Sequence, residues 1–217
     1  MSGPQAWTGT GYGRRTIAGA RLSAVALALA LLNATWHARA LAAELSADEV
    51  RARIDGASGA PPDLADLDLA GLDLAGVEFR GADLRGSVLK AANLEGADLS
   101  GAEVIAKFER SNLQGANLAG ANLAADMTNQ SMGLLRAHLT KADLAGANLA
   151  GATLSRCIAE FADFTGADLT GADLSRCELA GAEFAGAKLA GADFTEADVR
   201  GARFADVAGR EQAIGLD

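Results

Sequence analysis

Few residues in this chain are equipped for chemistry. Its 217 residues include two cysteines and two histidines. Cys157 and Cys177 stand twenty apart rather than as a Cys-x-x-Cys pair, and His37 and His138 are not at ligand spacing, so no metal set is expected. His138 has no Cys, Ser or carboxylate at a spacing that would make it the base of a nucleophile pair. The 28 Asp and Glu recur so evenly that no two stand in environments different enough to divide acid and base roles. The expectation is a protein without enzyme activity, with no catalytic, cofactor or metal residues.

Composition narrows the classes further. Nineteen Lys and Arg against 28 Asp and Glu give a net charge of -9, a poor match to nucleic acid phosphates. Only 5% of residues are aromatic, too few for a base-stacking platform, so direct nucleic acid binding is not expected. The charge is also uneven. Residues 1–40 carry four arginines and no acid, which leaves 15 basic and 28 acidic residues, or -13, in residues 41–217.

That basic start has the layout of an export signal. Arg14, Arg15 and Arg21 precede an uncharged run, Leu22 to Leu32, and Ala38-Arg39-Ala40 offers small residues for cleavage. Eleven residues are too short to span a bilayer, which needs roughly 20. Residues 1–40 therefore read as a signal peptide, with a periplasmic or secreted product and no stable membrane anchor after cleavage. The Arg14-Arg15 pair leaves the Sec and twin-arginine routes both open.

Residues 41–61 read as a linker with a short helix. Ser46 and Glu49 have capping-box spacing, and Val50 and Ile54 fall on one helical face. Gly56, Gly59 and the Pro61-Pro62 pair end the helix. Its expected role is to cover the open end of the domain that begins at Pro62.

From Leu64 the chain repeats in fives, as in Ala82-Asp83-Leu84-Arg85-Gly86 and Ala116-Asn117-Leu118-Ala119-Gly120. On an α-helix each Leu would land about 140° round from the last. On a straight strand an odd period would send successive leucines to opposite faces. The pattern is satisfied if the chain turns one corner per repeat, with Leu pointing inward each time. Recurrences at twenty residues set the number of sides at four: Leu154-Ser155-Arg156-Cys157 returns as Leu174-Ser175-Arg176-Cys177, and Phe164, Phe184 and Phe204 share a position. Two one-residue shortenings, Val104 to Phe108 and Leu123 to Met127, stand four units apart and fit the same count.

These tandem Ala-Asp/Asn-Leu-x-Gly units resemble the pentapeptide repeat family. The resemblance implies an all-β fold, a right-handed quadrilateral parallel β-helix, here of about seven coils over residues 62–206, followed by a tail at 207–217. Central residues of adjacent coils should stack about 4.8 Å apart. Phe164, Phe184 and Phe204 then form one column, expected to continue through Leu144 and Leu123. Cys157 and Cys177 become neighbours. They read as two small wall residues rather than a disulfide, because directly stacked Cβ atoms would have to approach closer than the strand spacing.

One stretch breaks the rhythm. Taking Met127 and Met132 as central positions leaves seven residues to Leu139, so a two-residue bulge is expected to expose some of Leu134, Leu135, Arg136 and His138 as a partner-binding feature. Outward aspartates such as Asp68, Asp98 and Asp168 should form acidic rows along the rod. The expected function is that of an exported scaffold presenting this rigid acidic surface to an unidentified protein partner. The family resemblance also allows two C-terminal ends to meet in a homodimer. It further implies an alternative, a DNA-mimicking binder of a DNA-processing protein such as DNA gyrase, from which the apparent signal and the lack of long loops depart.

Overall fold

The computed structural model describes residues 45–57, 60–127 and 135–216. The signal-peptide reading of residues 1–40 lies outside these, as do Met132 and Leu134.

Helix α1, Ala47–Asp55, starts on the capping box read from the sequence. Ser46 Oγ accepts from the Glu49 amide, and the Glu49 carboxylate accepts from the Ser46 amide at 2.8 Å. Val50 is fully buried in the main core, with Leu45 and Ile54 packed against it. Arg51 donates to the carbonyl of Asp73 at 3.0 Å. The helix therefore covers the first coil, whose Leu64, Leu69, Leu74 and Phe79 have no exposure. This protects an edge that would otherwise offer unpaired backbone groups.

From Asp63 onward the chain forms no long strands among the described residues. Each five-residue unit instead makes one parallel bridge to the coil before and one to the coil after. Asp63 pairs with Asp83, Asp68 with Val88, Asp73 with Asn93 and Glu78 with Asp98. An offset of twenty residues with a bridge every five makes a four-sided coil. We number the sides I to IV from Asp63, Asp68, Asp73 and Glu78.

The unit around Leu118 shows how residue types set the corner. Leu118 points into the core and is completely buried, and its amide donates to Asn148 O in the next coil at 2.7 Å. Gly120 takes φ +63°, as the third residue of a type II turn requires, and Ala121 N closes the turn on Leu118 O at 3.0 Å. The buried Ala121 is small enough for the tight inner corner. Outside, Asn117 Oδ1 accepts from Ala119 N at 3.3 Å. The Asp or Asn of each unit is therefore first a local backbone cap. Asp68, Asp143, Asp163 and Asp193 make the same bond two residues ahead.

Amide side chains also link coils. Asn117 Nδ2 donates to Asp98 Oδ1 and Asn148 Nδ2 donates to Asn117 Oδ1, both at 3.0 Å. Asn117→Asp removes one donor and sets a carboxylate against Asp98. It should lower stability by about 1–2 kcal/mol at neutral pH. Thermal melts of the variant should approach wild type near pH 3, where the introduced carboxyl protonates although Asp98, held at about 2, stays charged; a deficit unchanged by pH would exclude charge repulsion as its cause.

Two departures from the twenty-residue offset have different origins. Between Val104 and Phe108 the corner is one residue short, and Ala106 N reaches back to Val104 O at 2.8 Å in a three-residue turn. The offset drops to nineteen, with Val88 on Lys107 and Asn93 on Asn112. This shortening matches the expectation.

The second does not. Lys107 pairs with His138 and Asn122 with Thr153, an offset of 31. The excursion is thus eleven residues long rather than two. Met127 is not a core position: it is 42% exposed, and its neighbour Asp126 forms an antiparallel bridge with Leu135 instead of pairing with a coil. As a result the aromatic column continues from Phe164 through Leu144 to Leu113, on side III, whereas Leu123 lies on side I. The stacking of Phe164, Phe184 and Phe204 is as expected, with centroids 5.0 and 4.7 Å apart and rings nearly parallel.

The last residues fold onto the rod. Phe194 N donates to Ile214 O and Ile214 N to Ala192 O, both at 2.8 Å, so Ile214 extends side I. Leu216 is buried, and the Arg210 guanidinium lies 5.1 Å from the Phe204 ring centroid.

Candidate functional site: the excursion and side II

The excursion leaves the wall after Ala125, whose amide still donates to Ser155 O at 3.0 Å. It returns at Leu135, where Asp126 N donates to Leu135 O at 2.9 Å. Leu135 is 48% exposed. Arg136 fixes the return: Nε donates to Arg156 O at 2.7 Å, and an NH2 nitrogen to Glu178 Oε1 at 2.6 Å. The guanidinium thereby bridges to the coils of Ile158 and Glu178 on side II. Its side chain is only 21% exposed, so this ion pair is better shielded from solvent than a freely exposed one.

His138 is not part of the projection. It is back in the wall, with its amide on Ala106 O at 3.0 Å and its carbonyl accepting from Phe108 N at 2.7 Å. It is the outward residue of side II between Lys107 and Ile158. Burial pushes the imidazole below its ordinary value of 6.5. Glu109 opposes this, while Arg136, Lys107 and Lys90 add to it. Folding therefore favours neutral His138, and the stability that this provides is present above about pH 6.5 and declines as pH falls through it. His138→Gln should flatten the difference between melts at about pH 7.5 and pH 5.5; an unchanged difference would assign it to other groups.

Cys157 and Cys177 are buried neighbours, as the twenty-residue spacing requires. Their sulfurs are 2.6 Å apart without a bond, and the Cys177 thiol donates to Leu154 O at 2.9 Å. Burial, then the Cys177 hydrogen bond, pushes the Cys157 thiol well up, so it is a poor nucleophile. A thiol reagent should find no reactive cysteine in the native protein and two after denaturation. Absence of thiols after denaturation would identify a disulfide.

The outward residues of the rod do not form unbroken acidic rows. Side II runs Asp68, Val88, Lys107, His138, Ile158, Glu178, Asp198, so its middle is apolar and basic. Many carboxylates elsewhere are engaged by cations, as Asp98 is by Arg80 and Asp168 by Lys188. Hydrogen bonds from Thr170 and Lys188 hold Asp168 down at about 2. Among the described residues no cluster of three or more His, Cys, Asp or Glu is arranged to hold a metal ion, and no helix is long and apolar enough to cross a membrane.

Comparison with known proteins gives a family match and structural relatives. Pentapeptide repeats match in eight copies over residues 63–102, 106–125, 134–171 and 167–206. No curated protein matches the chain. Among solved structures, a pentapeptide repeat protein of the Arabidopsis thaliana thylakoid lumen is 33% identical over 54% of this chain and 71% of its own, with a TM-score of 0.37. QnrB1, a plasmid-mediated fluoroquinolone resistance protein, is 21% identical over 66% of this chain and 77% of its own, with a TM-score of 0.38. HetL, involved in heterocyst differentiation regulation in the cyanobacterium Nostoc, is 24% identical over 78% of this chain and 94% of its own, with a TM-score of 0.23.

Proposed function

The chain belongs to the pentapeptide repeat family, whose fold is a right-handed quadrilateral β-helix, and on that premise we propose that it is an exported, non-enzymatic scaffold that binds a protein partner. The observation that carries this reading is the departure from the wall between Ala125 and Leu135, whose two ends are held. A uniform rod needs no eleven-residue departure, yet this one leaves at Ala125 and is pinned on return by Arg136 to Glu178 and to the Arg156 carbonyl. A loop held on a rigid scaffold is a usual way to present a binding surface. Export follows from the basic and apolar layout of residues 1–40. Pairing of two C-terminal ends, where Ile214 is 55% exposed, is the proposed route to a homodimer and is read by light scattering.

Affinity capture from the periplasm with wild type and with Arg136→Ala tests the binding reading. A partner held by wild type and weakened in the variant supports it; no partner for either protein contradicts it. Cell fractionation with N-terminal sequencing tests export, and full-length protein in the cytosol would contradict it. The net charge of -13 beyond residue 40 favours a second reading, a DNA-mimicking binder of DNA gyrase or a similar enzyme. Inhibition of gyrase supercoiling by cytosolic full-length protein would support that reading instead.

A further inference from the structure

The four corners of the rod are not equivalent. At the two corners flanking side IV, every left-handed residue is glycine except Asp206. At the corners flanking side II the same backbone position carries side chains in successive coils. Between sides II and III, Ala91, Arg110, Lys141 and Phe161 have φ of +55°, +62°, +59° and +57°. Bonds from Ala91 N to Glu109 O, Arg110 N to Thr140 O and Lys141 N to Glu160 O stack these four corners in consecutive coils. A left-handed residue with a Cβ costs roughly 1–2 kcal/mol, and glycine avoids that cost at the corners flanking side IV, Asp206 excepted. Left-handed side chains also stand between sides I and II, at Asp66, Arg156, Arg176 and Glu196, where Arg176 pairs with Glu196. The column between sides II and III carries them in four consecutive coils without such a pair, which points to contact with something outside the rod.

Those side chains form a cationic and aromatic strip. Lys107, Arg110 and Lys141 have no ion-pair partner among the described residues. A surface cavity of about 440 Å³ adjoins Arg110 and Lys141, lined by these two with Lys90, Ala91, Glu109 and Thr140, while Lys107 stands on the adjoining side II. Lys90 holds one oxygen of Glu109, and the other, Oε2, is buried without a hydrogen-bond partner. Phe161 is 59% exposed, with Lys141 Nζ 5.9 Å from its ring centroid. It lies over Gly181, where an added Cβ would come within 2.6 Å of the ring.

We infer that this corner and the adjoining part of side II dock an extended acidic segment of a protein partner. The inference rests on the reading of the chain as a protein-binding scaffold. Three unpaired cations in adjacent coils suit carboxylates. The exposed Phe161 ring suits an apolar residue between the acids. A long polyanion such as nucleic acid would fit worse, because beyond the strip it would run along a rod of net negative charge.

The test uses the full mature chain and a fluorescein-labelled dodecapeptide of alternating Glu and Leu. Its Lys and Leu counterpart and a single-stranded oligonucleotide serve as competitors. Wild type should bind the acidic peptide in a salt-sensitive manner. The Lys107→Glu, Arg110→Glu, Lys141→Glu triple variant should weaken binding by roughly tenfold or more. A second variant separates contact from folding. Arg110→Gly, Lys141→Gly, Phe161→Gly relieves left-handed strain, so it should melt at or above wild type while losing binding. Undiminished binding by either variant, preference for the basic peptide, tighter binding of the oligonucleotide, or no binding by wild type would overturn the inference. In periplasmic capture, a partner held equally by wild type and the Glu variant would overturn this docking face but leave the scaffold reading standing. Loss of capture by both would remove the scaffold reading and this inference with it.

Discussion

Phe184→Ala should unfold the C-terminal coils while the N-terminal coils stay folded. Phe184 is completely buried, stacked between Phe164 and Phe204 and met edge-on by Phe194 at 5.8 Å. Truncating a buried Phe costs about 3–5 kcal/mol, and the coil cannot collapse around the gap without breaking its bridges. Loss of the ring contacts adds on the order of 1 kcal/mol. Each coil touches only its neighbours, so the damage stays local in a way it would not in a globular core. Hydrogen exchange should show faster exchange from the Leu169 coil onward, with protection near Leu84 and Leu99 retained. Uniform loss of protection along the chain would contradict this picture of the rod.

Gly209→Ala and Gly215→Ala should be the most damaging glycine replacements. Both residues are left-handed, at φ +75° and +79°. An added Cβ at Gly209 would sit 2.8 Å from Ala190 N, and one at Gly215 would sit 2.8 Å from Thr195 N and 2.9 Å from the carbonyl carbon of Phe194. These are backbone atoms held in the ladder, so they cannot move aside as a flexible side chain would. Each variant should lose more than about 2 kcal/mol, strain and steric conflict together. Gly120→Ala is the control. Its φ is +63° but nothing lies within 4 Å of the added atom, so only the conformational cost of about 1 kcal/mol remains. Denaturant melts compare the three; equal losses would show that packing of the tail on the last coil contributes nothing.

The four-sided fold was legible because inward residues recur with the period of the coil. Phe164, Phe184 and Phe204, and the paired Leu-Ser-Arg-Cys units, identify neighbours directly. The capping helix was legible from Ser46, Glu49, Val50 and Ile54. The excursion was not. Met127 and Met132 are apolar residues at nearly the right spacing, and spacing alone cannot separate a core methionine from one that leaves the wall. The pairing of Asp126 with Leu135 decides the matter. Counting two sides too many rotates everything before the excursion by half a turn relative to everything after it. That error put Leu123, rather than Leu113, above Leu144. It also hid the strip, because Arg110 and Lys141 then fall on opposite corners. The signal was present as units without glycine at their fifth position, but it needed the correct length of the excursion to become one column.

Excision of Asp126–Arg136 tests the architecture most directly. The deletion joins Ala121-Asn122-Leu123-Ala124-Ala125 to Ala137-His138-Leu139-Thr140-Lys141, two regular units with Leu123 and Leu139 five apart. Asn122 can then pair with Thr153 and Lys107 with His138 across an ordinary coil. A shorter connection lowers the entropic cost of closure, so thermal unfolding should remain cooperative with a midpoint at or above that of wild type. A variant that loses its cooperative transition would show that these residues are part of the wall, and would contradict a four-sided coil interrupted by a single eleven-residue excursion.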